Sequence, residues 1–377
     1  MTSLQDAQVP VETASFDGRL ALQQRVLPAY RAPFFDLLAG ACSGGLSVFA
    51  GESRQDEMIH SADDLEVAEW VRAENQHLLA GRWYLLWQKG VEDWLEAADA
   101  DALVLEANPR YLSNRKAMDW MHARRRPVIG WALGAPPVWG PLAEARQWVR
   151  RRYLQRFDAL IAYSSQGAEE YRALGFPPER IFIAHNAVAP APESKPDHAS
   201  FNGRDPRILF VGRLQERKRI DLLLEACARL NRTVDLVIVG EGPAREQFEA
   251  QAEEVLPQVR FVGAAYGSEL ITWFEWADLF VLPGTGGLAV QQAMASGLPV
   301  IVAEGDGTQV DLVSGGNGWL VPPDDPGRLY ETLRDALEDP EALLEMGQKS
   351  YELSVNRFNI ETMVSVFVRA VESVEKP

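Results

Sequence analysis

The sequence predicts an α/β protein built from two doubly wound domains. Two observations carry this prediction: compact apolar runs alternate with amphipathic runs along most of the chain, and a stretch of linker composition separates two halves of similar size. Nearly continuous apolar runs are typical of parallel strands buried on both faces, whereas the amphipathic runs have helical spacing. The length of 377 residues also favours more than one domain.

The N-terminal domain is predicted over 15–188. Its strands are predicted at RLALQQRVL, GLSVFAG, WYLLW, DALVLEA, PVIGWAL, DALIAYS and RIFIAHNAV. Its helices are predicted at APFFDLLAGAC, LEVAEWVRAENQHLLAG, VEDWLEAA, SNRKAMDWMHARR, AEARQWVRRRYLQRF and QGAEEYRALG. Residues 1–14 lack such a pattern and are expected to form a disordered tail.

Residues 189–205 are rich in Pro, Ser, Gly and Asp and are predicted to link the domains. The C-terminal domain, over 206–357, has strands predicted at RILFVG, DLVIVG, VRFVG, DLFVLPG, PVIVAE and GWLVPP. Its helices are predicted at IDLLLEACARL, AREQFEAQAEEV, SELITWFEWA and LAVQQAMAS. The last helix, within 358–377, is expected to cross back and pack on the first domain. Because open α/β sheets bind ligands at the carboxyl ends of their strands, the two domains are expected to face a central cleft.

Composition and charge exclude several classes of protein. The formal net charge of −17 argues against nucleic-acid binding, which needs a positive surface. No apolar run approaches the ~20 residues of a membrane span, and the first residues do not have the pattern of a secretory signal. The two cysteines, Cys42 and Cys227, fall in different predicted domains, which suits a reducing cytosol. A cytoplasmic protein is therefore expected.

A basic stretch between His122 and Phe157 contrasts with this acidic composition, because it contains eight arginines and a single acid. Its helix, ARQWVRRRYLQRF, has two interpretations. In one, the arginines form a solvated face while Trp148, Tyr153 and Phe157 are buried. In the other, residues 146–157 contact anionic lipid at the inner face of the membrane, as a lipid-linked acceptor would require.

The stretch LPGTGGLAVQQAMASGLPVI, over 282–301, reads as a strand end, a glycine-rich turn and a helix that begins near Leu288. Unpaired amides at a helix start favour phosphate, and Gly286 and Gly287 let a ligand approach the backbone. The alternative is a tight turn that needs glycine for packing alone.

Two cations follow the first strand of the same domain. In VGRLQERKRID, Arg213 and Lys218 flank a loop that should emerge at the same sheet edge as the glycine turn. If these two cations lie together with the first turn of a helix, they are expected to form a pocket for a diphosphate. The alternative is that both are solvated loop charges.

The second half resembles glycosyltransferase family four, which contains retaining sugar transferases of the GT-B architecture. The matching segments, in the family's order and spacing, are VGRLQERKRIDLLLEA, DLVIVGEGPAREQFE, VRFVG, ADLFVLPGTGGLAVQQAMASGLPVIVAE and NGWLVPPDDP. In the first half, LPAYRAPFFDLLA and AHNAV resemble the family more weakly. The resemblance implies two Rossmann-like domains and a nucleotide diphosphate sugar bound mainly by the second.

The resemblance also implies roles for individual residues. The family's Arg and Lys that hold the donor phosphates match Arg213 and Lys218, which follow Gly212. The glycine turn and the segment near the base match further donor contacts, namely Gly286, Gly287, Leu288, Val262 and Gly263.

Two glutamates that the family usually has around the glycine turn are absent. One would fall near Gly284 in a shortened loop, and the other on Gln292, whose carbonyl oxygen can still accept a hydrogen bond from the ribose. Thr285, or the acids of AEGDGTQVD with Asp306 among them, are candidates for the lost sugar contacts. For Asp306 and Thr308 the alternative is a turn and helix cap.

The first domain is expected to bind the acceptor through loops that follow its strands. The residues expected there are Tyr30, Arg31, Asn108, Arg110, Trp131 and Gly134. The sequence points to no dedicated general base.

The sequence thus predicts a glycosyltransferase that moves a hexose-type sugar from a nucleotide diphosphate sugar to a glycan, glycolipid or other small acceptor with retention of configuration. Because Arg213, Lys218 and helix amides would stabilise the leaving diphosphate, neither a metal nor a cofactor is expected. Five histidines without close spacing argue against zinc. The alternative is a non-catalytic sugar-nucleotide-binding protein or subunit that has lost both glutamates. A GT-B relative with other chemistry, such as a phosphorylase or an epimerase, is a third hypothesis.

Overall fold

The computed structural model describes residues 14–54, 57, 61–79 and 81–374. The chain divides into two compact units: the N-terminal unit, which contains the residues up to 190 and those from 360 onward, and the C-terminal unit, 191–359. The two division points lie close to the predicted linker start at 189 and the predicted final segment at 358. The predicted disordered tail lies outside the described residues, except for Ala14.

The N-terminal unit is built on a parallel sheet. Its strands are β1 (Leu20–Val26), β2 (Leu46–Gly51), β3 (Glu69–Arg72), β4 (Glu74–Leu78), β5 (Leu85–Lys89), β6 (Ala102–Glu106), β7 (Val128–Ala132), β8 (Ala159–Ala162) and β9 (Ile181–Ile183). Its helices include α1 (Ala32–Gly40), α2 (Val91–Ala98), α3 (Ser113–Ala123), α4 (Ala143–Leu154) and α5 (Ser165–Ala173). Seven strands form the sheet in the order β3-β2-β1-β6-β7-β8-β9, and β4 pairs antiparallel with β5.

Burial on both faces explains the apolar runs of this sheet. Ala102 and Val104 of β6 join one apolar cluster, whereas Leu103 and Leu105 join the cluster on the other face. Successive side chains of a strand point to opposite faces, so a strand covered on both sides needs apolar residues throughout.

The segment LEVAEWVRAENQHLLAG was predicted as a helix, and this prediction is wrong because the segment forms β3 and β4. Exposure alternates along β4, which is the period of a strand. Trp70 Nε1 donates to Ala50 O (3.0 Å), and Asn75 Nδ2 donates to Arg25 O (2.8 Å). These tertiary hydrogen bonds hold the segment extended, and helical spacing in the sequence does not reveal them.

The last helix, Ile360–Glu372, packs on the N-terminal unit as predicted. Its spacing gives one apolar stripe, from which Met363, Phe367 and Val371 join the cluster that contains Phe34 and Trp131. The ring centroid of Phe367 lies 5.1 Å from that of Phe34 and 5.0 Å from that of Trp131.

The C-terminal unit is a second doubly wound sheet. Its strands are β10 (Arg207–Val211), β11 (Asp235–Val239), β12 (Arg260–Gly263), β13 (Leu279–Leu282), β14 (Val300–Ala303) and β15 (Gly318–Val321). Its helices are α6 (Ile220–Ala228), α7 (Arg245–Val255), α8 (Gly267–Trp276), α9 (Leu288–Ala295), α10 (Thr308–Leu312), α11 (Pro326–Ala336) and α12 (Pro340–Asn356), and the last helix of the chain is α13. Within the described residues, no helix combines the length and the apolar character that crossing a membrane requires.

The winding reverses beside the first strand of each sheet. β1 lies between β2 and β6, and β10 lies between β11 and β13, all parallel. The predicted fold class of two doubly wound α/β domains is therefore confirmed. Ligands of such sheets bind where the winding reverses, at the carboxyl ends of the strands. In the C-terminal unit this point lies between the loop after β10 and the glycine turn after β13.

Candidate functional site

The glycine turn after β13 is in backbone contact with the loop after β10. Thr285 N donates to Arg217 O (3.1 Å). A Cβ atom on Gly284 would clash with the same oxygen and would lie 2.6 Å from Lys218 Cα. Because no side chain fits between the two backbones, position 284 requires glycine.

Lys218 reaches from the loop after β10 to the glycine turn. Its Nζ donates to Thr285 O (2.5 Å), and a Cβ atom on Gly286 would lie 2.5 Å from Nζ. Burial, together with the nearby Arg217 guanidinium, lowers the pKa of Lys218 to about 8. An ammonium that is desolvated beside another cation and a neutral carbonyl is stabilised by an added anion.

The start of α9, directly behind the turn, offers backbone donors. Gly286 has a φ of +143°, which L side chains rarely adopt, and its carbonyl accepts from Gln309 Nε2 (2.9 Å). Among the described residues, no side chain caps α9 at Gly287. The first amides of the helix therefore keep their partial positive charge. Lysine and amides together form a place for a diphosphate.

The loops after β10, β11 and β12 meet at the same edge of the sheet. Gly240 N donates to Gly263 O (2.7 Å), and a Cβ atom on Gly240 would clash with Gly212 O. A Cβ atom on Gly212 would lie 3.8 Å from Lys218 Cε, and the next residue, Arg213, is half-buried. The structure therefore brings the predicted donor residues to one sheet edge: Gly212, Arg213, Lys218, Val262, Gly263, Gly286, Gly287 and Leu288.

The positions of the missing glutamates have different surroundings. Gly284 has no space for a side chain, whereas Gln292 is half-buried in α9 and its contact with a ribose stays a prediction. Asp306 Oδ1 accepts from Thr308 N (3.1 Å) and from Thr308 Oγ1 (2.6 Å), as the turn interpretation predicts, whereas the cap position of α10 is Gly307, which has no side chain to cap the helix. Thr308 Oγ1 would lie 3.5 Å from a Cβ atom on Gly287. A hydroxyl positioned by Asp306 thus lies beside the turn.

A cavity of about 500 Å³ lies beside the same loop of the C-terminal unit. The candidate sugar contact Thr285 lines it, and Thr285 Oγ1 accepts from Arg217 Nη1 (2.9 Å). Its charged lining residues are Glu216, Arg217, Arg219, Asp221, Glu304 and Asp324. Because the four carboxylates outnumber the two guanidiniums, this cavity disfavours a diphosphate. In the described part of the chain, no three His, Cys, Asp or Glu side chains lie together as metal ligands would.

Three of the predicted acceptor residues lie at or near the surface of the N-terminal unit. Tyr30 is 47% exposed, Arg110 is exposed, and Asn108 is half-buried. Asn108 Oδ1 accepts from Arg110 N (3.1 Å), which fixes the loop after β6. The part of these residues in acceptor binding stays a prediction.

Arg31 and Trp131 are not accessible to an acceptor, contrary to the prediction, because both side chains are buried. Arg31 Nη1 donates to Ala187 O (3.2 Å), and its guanidinium lies 5.2 Å from a Trp131 ring centroid. Burial lowers the pKa of Arg31. The physical reason is α13: Met363 and Phe367 pack over this region, and Met363 Sδ lies 3.8 Å from Arg31 Nη1.

Gly134, which was predicted to face an acceptor, instead packs closely against α5. Its φ is +152°, and a Cβ atom there would clash with Glu170 Oε2, which accepts from Ala135 N (2.8 Å). The glycine therefore serves the packing of α5 against the loop after β7.

One residue that positions the glycine turn and one buried acid at the end of β6 were not predicted from the sequence. Gln309, which fixes the glycine turn, stands in AEGDGTQVD, where the acids and Thr308 were the residues predicted to have a function. Glu106 ends β6, and burial raises the pKa of its carboxyl although hydrogen bonds from the Arg25 amide and the Tyr111 hydroxyl oppose the shift. An acid at the carboxyl end of a buried strand was the available signal.

The fold and this site define the chain as a GT-B protein, with two doubly wound domains and a cationic glycine turn at the switch point of the second. Residues 193–376 match the family model for glycosyl transferases group 1, and residues 36–187 match the model for a glycosyl transferase 4-like domain. These two matches, which together cover most of the chain, support a glycosyltransferase family with the GT-B fold.

Two curated relatives illustrate the similarity in sequence. Glycogen synthase of Mycobacterium tuberculosis is 28% identical over 287 residues, which are 72% of this chain and 65% of that protein. The GDP-mannose-dependent alpha-mannosyltransferase of the same organism is 32% identical over 206 residues, which are 52% of each chain. The chain thus spans less than two thirds of the length of these relatives.

Solved structures show the same fold. HepE from Anabaena, in complex with UDP, matches with a TM-score of 0.69 and 18% identity over 94% of this chain and 99% of that chain. Sucrose-phosphate synthase from Thermosynechococcus elongatus matches with a TM-score of 0.67 and 20% identity over 92% of this chain and 96% of that chain.

Proposed function

We propose that the protein transfers a hexose-type sugar from a nucleotide diphosphate sugar to a glycan, glycolipid or other small acceptor with retention of configuration. The contact of Lys218 with the glycine turn before α9 carries the proposal. The relatives support it, because they are a glycogen synthase and a mannosyltransferase that depends on GDP-mannose. HepE, which has the same fold, was solved with UDP.

The diphosphate of the donor lies against the first amides of α9 in this proposal. Lys218 and Arg213 lie beside the diphosphate. Because Gly286 has no side chain, the space next to Lys218 Nζ stays open for a phosphate oxygen. The base lies near Val262 and Gly263, at the carboxyl end of β12. The ribose lies near Gln292, which offers an uncharged acceptor in place of a carboxylate.

The chemistry is the transfer of negative charge to the leaving group. When the bond from the anomeric carbon to the phosphate oxygen breaks, the electron pair stays on the diphosphate. The ammonium of Lys218, the guanidinium of Arg213 and the helix amides are in place beforehand, so they stabilise the growing charge without rearrangement. Since the chain itself supplies this positive charge, the proposed reaction uses no divalent metal.

Donor hydrolysis tests the proposal. UDP-, GDP- and ADP-sugars are incubated with the protein in the presence of EDTA, and the release of nucleoside diphosphate is measured. We expect slow release from one donor, and the freed sugar to keep the anomeric configuration of the donor when followed by NMR. The absence of both nucleoside diphosphate release and a thermal shift, with every donor tested, would contradict the proposal. A thermal shift without release, also with candidate acceptors, would instead support a sugar-nucleotide-binding protein.

A further inference from the structure

The start of α4 and the loop before it expose large apolar side chains. Trp139, Leu142, Trp148 and Val149 are 83%, 77%, 58% and 46% exposed. We call the surface of residues 139–152 the α4 face. Large apolar groups that cluster at a surface mark an interaction site.

One end of α4 is anchored and the other is open. Tyr153 and Phe157 are buried in the core, as predicted, but Trp148 is exposed, which contradicts the interpretation that buried all three. Five helical positions separate Trp148 from Tyr153, so the two side chains point to different sides of the helix. The buried end fixes the helix while the tryptophan stays at the surface.

The loop that carries Trp139 is held to the same helix. Arg146 donates to Trp139 O, and Arg150 Nη1 donates to Pro136 O (2.5 Å). Glu144 is the only acid of α4. The α4 face is therefore a fixed surface that combines indole rings with positive charge in a protein whose net charge is −17.

A small cationic cavity opens beside Trp148. It has a volume of about 310 Å³, and three arginines line it, namely Arg115, Arg152 and Arg156. The Arg152 guanidinium lies 5.0 Å from the Trp148 ring centroid, and Arg156 pairs with Asp119 (2.6 Å). Three guanidiniums with one paired carboxylate suit a phosphate group.

We propose that the α4 face docks on an anionic lipid bilayer. The phosphate of a lipid headgroup enters the cavity lined by Arg115, Arg152 and Arg156, while Trp139 and Trp148 enter the interface beside it. Indole rings favour the membrane–water boundary, and arginines near a bilayer are attracted to anionic lipid. The inference does not depend on the proposed reaction.

Two other binding partners, a second copy of the chain and nucleic acid, match the α4 face less well. A second copy placed on the same face by two-fold symmetry would bring the arginines of both copies together. Nucleic acid offers phosphates to the arginines but no apolar phase for Leu142 and Val149, which are exposed on the same face. An anionic bilayer matches both the positive charge and the exposed apolar rings of the α4 face.

Vesicle sedimentation tests the proposal with the full chain. The vesicles contain phosphatidylcholine alone or phosphatidylcholine with about one third phosphatidylglycerol, so that only the second kind carries surface charge. We expect a partition coefficient at least about tenfold higher for the anionic vesicles, and a loss of several-fold of this binding when salt rises from about 0.1 to 0.5 M.

Paired variants separate the α4 face from other exposed residues. Trp139→Ser with Trp148→Ser, and Arg151→Gln with Arg152→Gln, should each lower anionic-vesicle binding about tenfold. The matched control combines exposed residues elsewhere, namely Trp83→Ser, Arg328→Gln and Arg334→Gln. It should change binding less than about twofold. Circular dichroism shows that each variant is folded, and donor hydrolysis without vesicles should be unchanged in all of them.

Several results would overturn the proposal. These are equal binding to neutral and anionic vesicles, binding that survives both pairs of α4-face substitutions, or equal losses in the control. A dimer in size-exclusion chromatography that the tryptophan substitutions dissociate would make the face a contact between copies. Soluble polyglutamate that binds as tightly as the vesicles would make it a contact for an acidic protein.

Discussion

Donor affinity should depend on pH through the charge of Lys218. Burial and the nearby Arg217 lower the pKa of this lysine from 10.5 to about 8. The free protein therefore loses the ammonium as pH rises through 8, and a donor that needs the ammonium binds more weakly above that pH. A group with this pKa is roughly 90% charged at pH 7 and roughly 10% charged at pH 9, so the donor Kd should rise about tenfold between them.

Lys218→Arg is the matched control, because arginine stays charged throughout this range. Calorimetric titration with the donor that the hydrolysis screen selects should give a flat Kd for this variant. Lys218→Met should bind at least about tenfold more weakly than the wild type at pH 7, since a fixed cation beside phosphate contributes ~1.4 kcal/mol or more. Any titration of the nucleotide itself affects all three proteins equally. A flat curve for the wild type, or an equally steep one for Lys218→Arg, would refute the reasoning.

Four further substitutions test the rest of the site. Arg213→Ala should lower kcat/KM at least about tenfold, or ~1.4 kcal/mol of charge stabilisation, and an unchanged rate in the hydrolysis assay removes Arg213 from the site. Gln292→Glu should keep or strengthen donor binding, because a carboxylate is the stronger acceptor for a ribose hydroxyl; a collapse of affinity in calorimetry would show that this residue faces something else. Gly284→Ala should lower the free energy of unfolding by about 1–3 kcal/mol in urea, because its Cβ would lie 2.6 Å from Lys218 Cα. Gly287→Ala, whose nearest contact would be 3.5 Å away, should cost less than about 1 kcal/mol, and equal losses at both positions contradict the backbone-contact account.

The fold was largely predictable because its strands are buried on both faces. Runs such as Leu279–Leu282 and Val300–Ala303 are buried at every position, so their apolar letters alone indicate the sheet. The segment 65–81 was not predictable in this way. Its extended form depends on hydrogen bonds from Trp70 and Asn75 to residues far away in the chain, which no local pattern contains.

The site was predictable where topology brings residues together. The rule that parallel strands end at one edge predicted that Lys218 meets the glycine turn, and the structure has this contact. Burial by a distant element was not predictable. Arg31 and Trp131 lie near the ends of strands as ligand contacts do, yet α13 covers them. Trp148 is exposed, whereas Tyr153 and Leu154 at the end of the same helix are buried.

A crystal structure of the protein with the selected nucleotide sugar tests the central claim most directly. We expect diphosphate oxygens within about 3 Å of Lys218 Nζ and of the amides at Gly287 and Leu288. A diphosphate bound instead between Arg217 and Arg219, with Lys218 still donating to Thr285 O, would contradict the account.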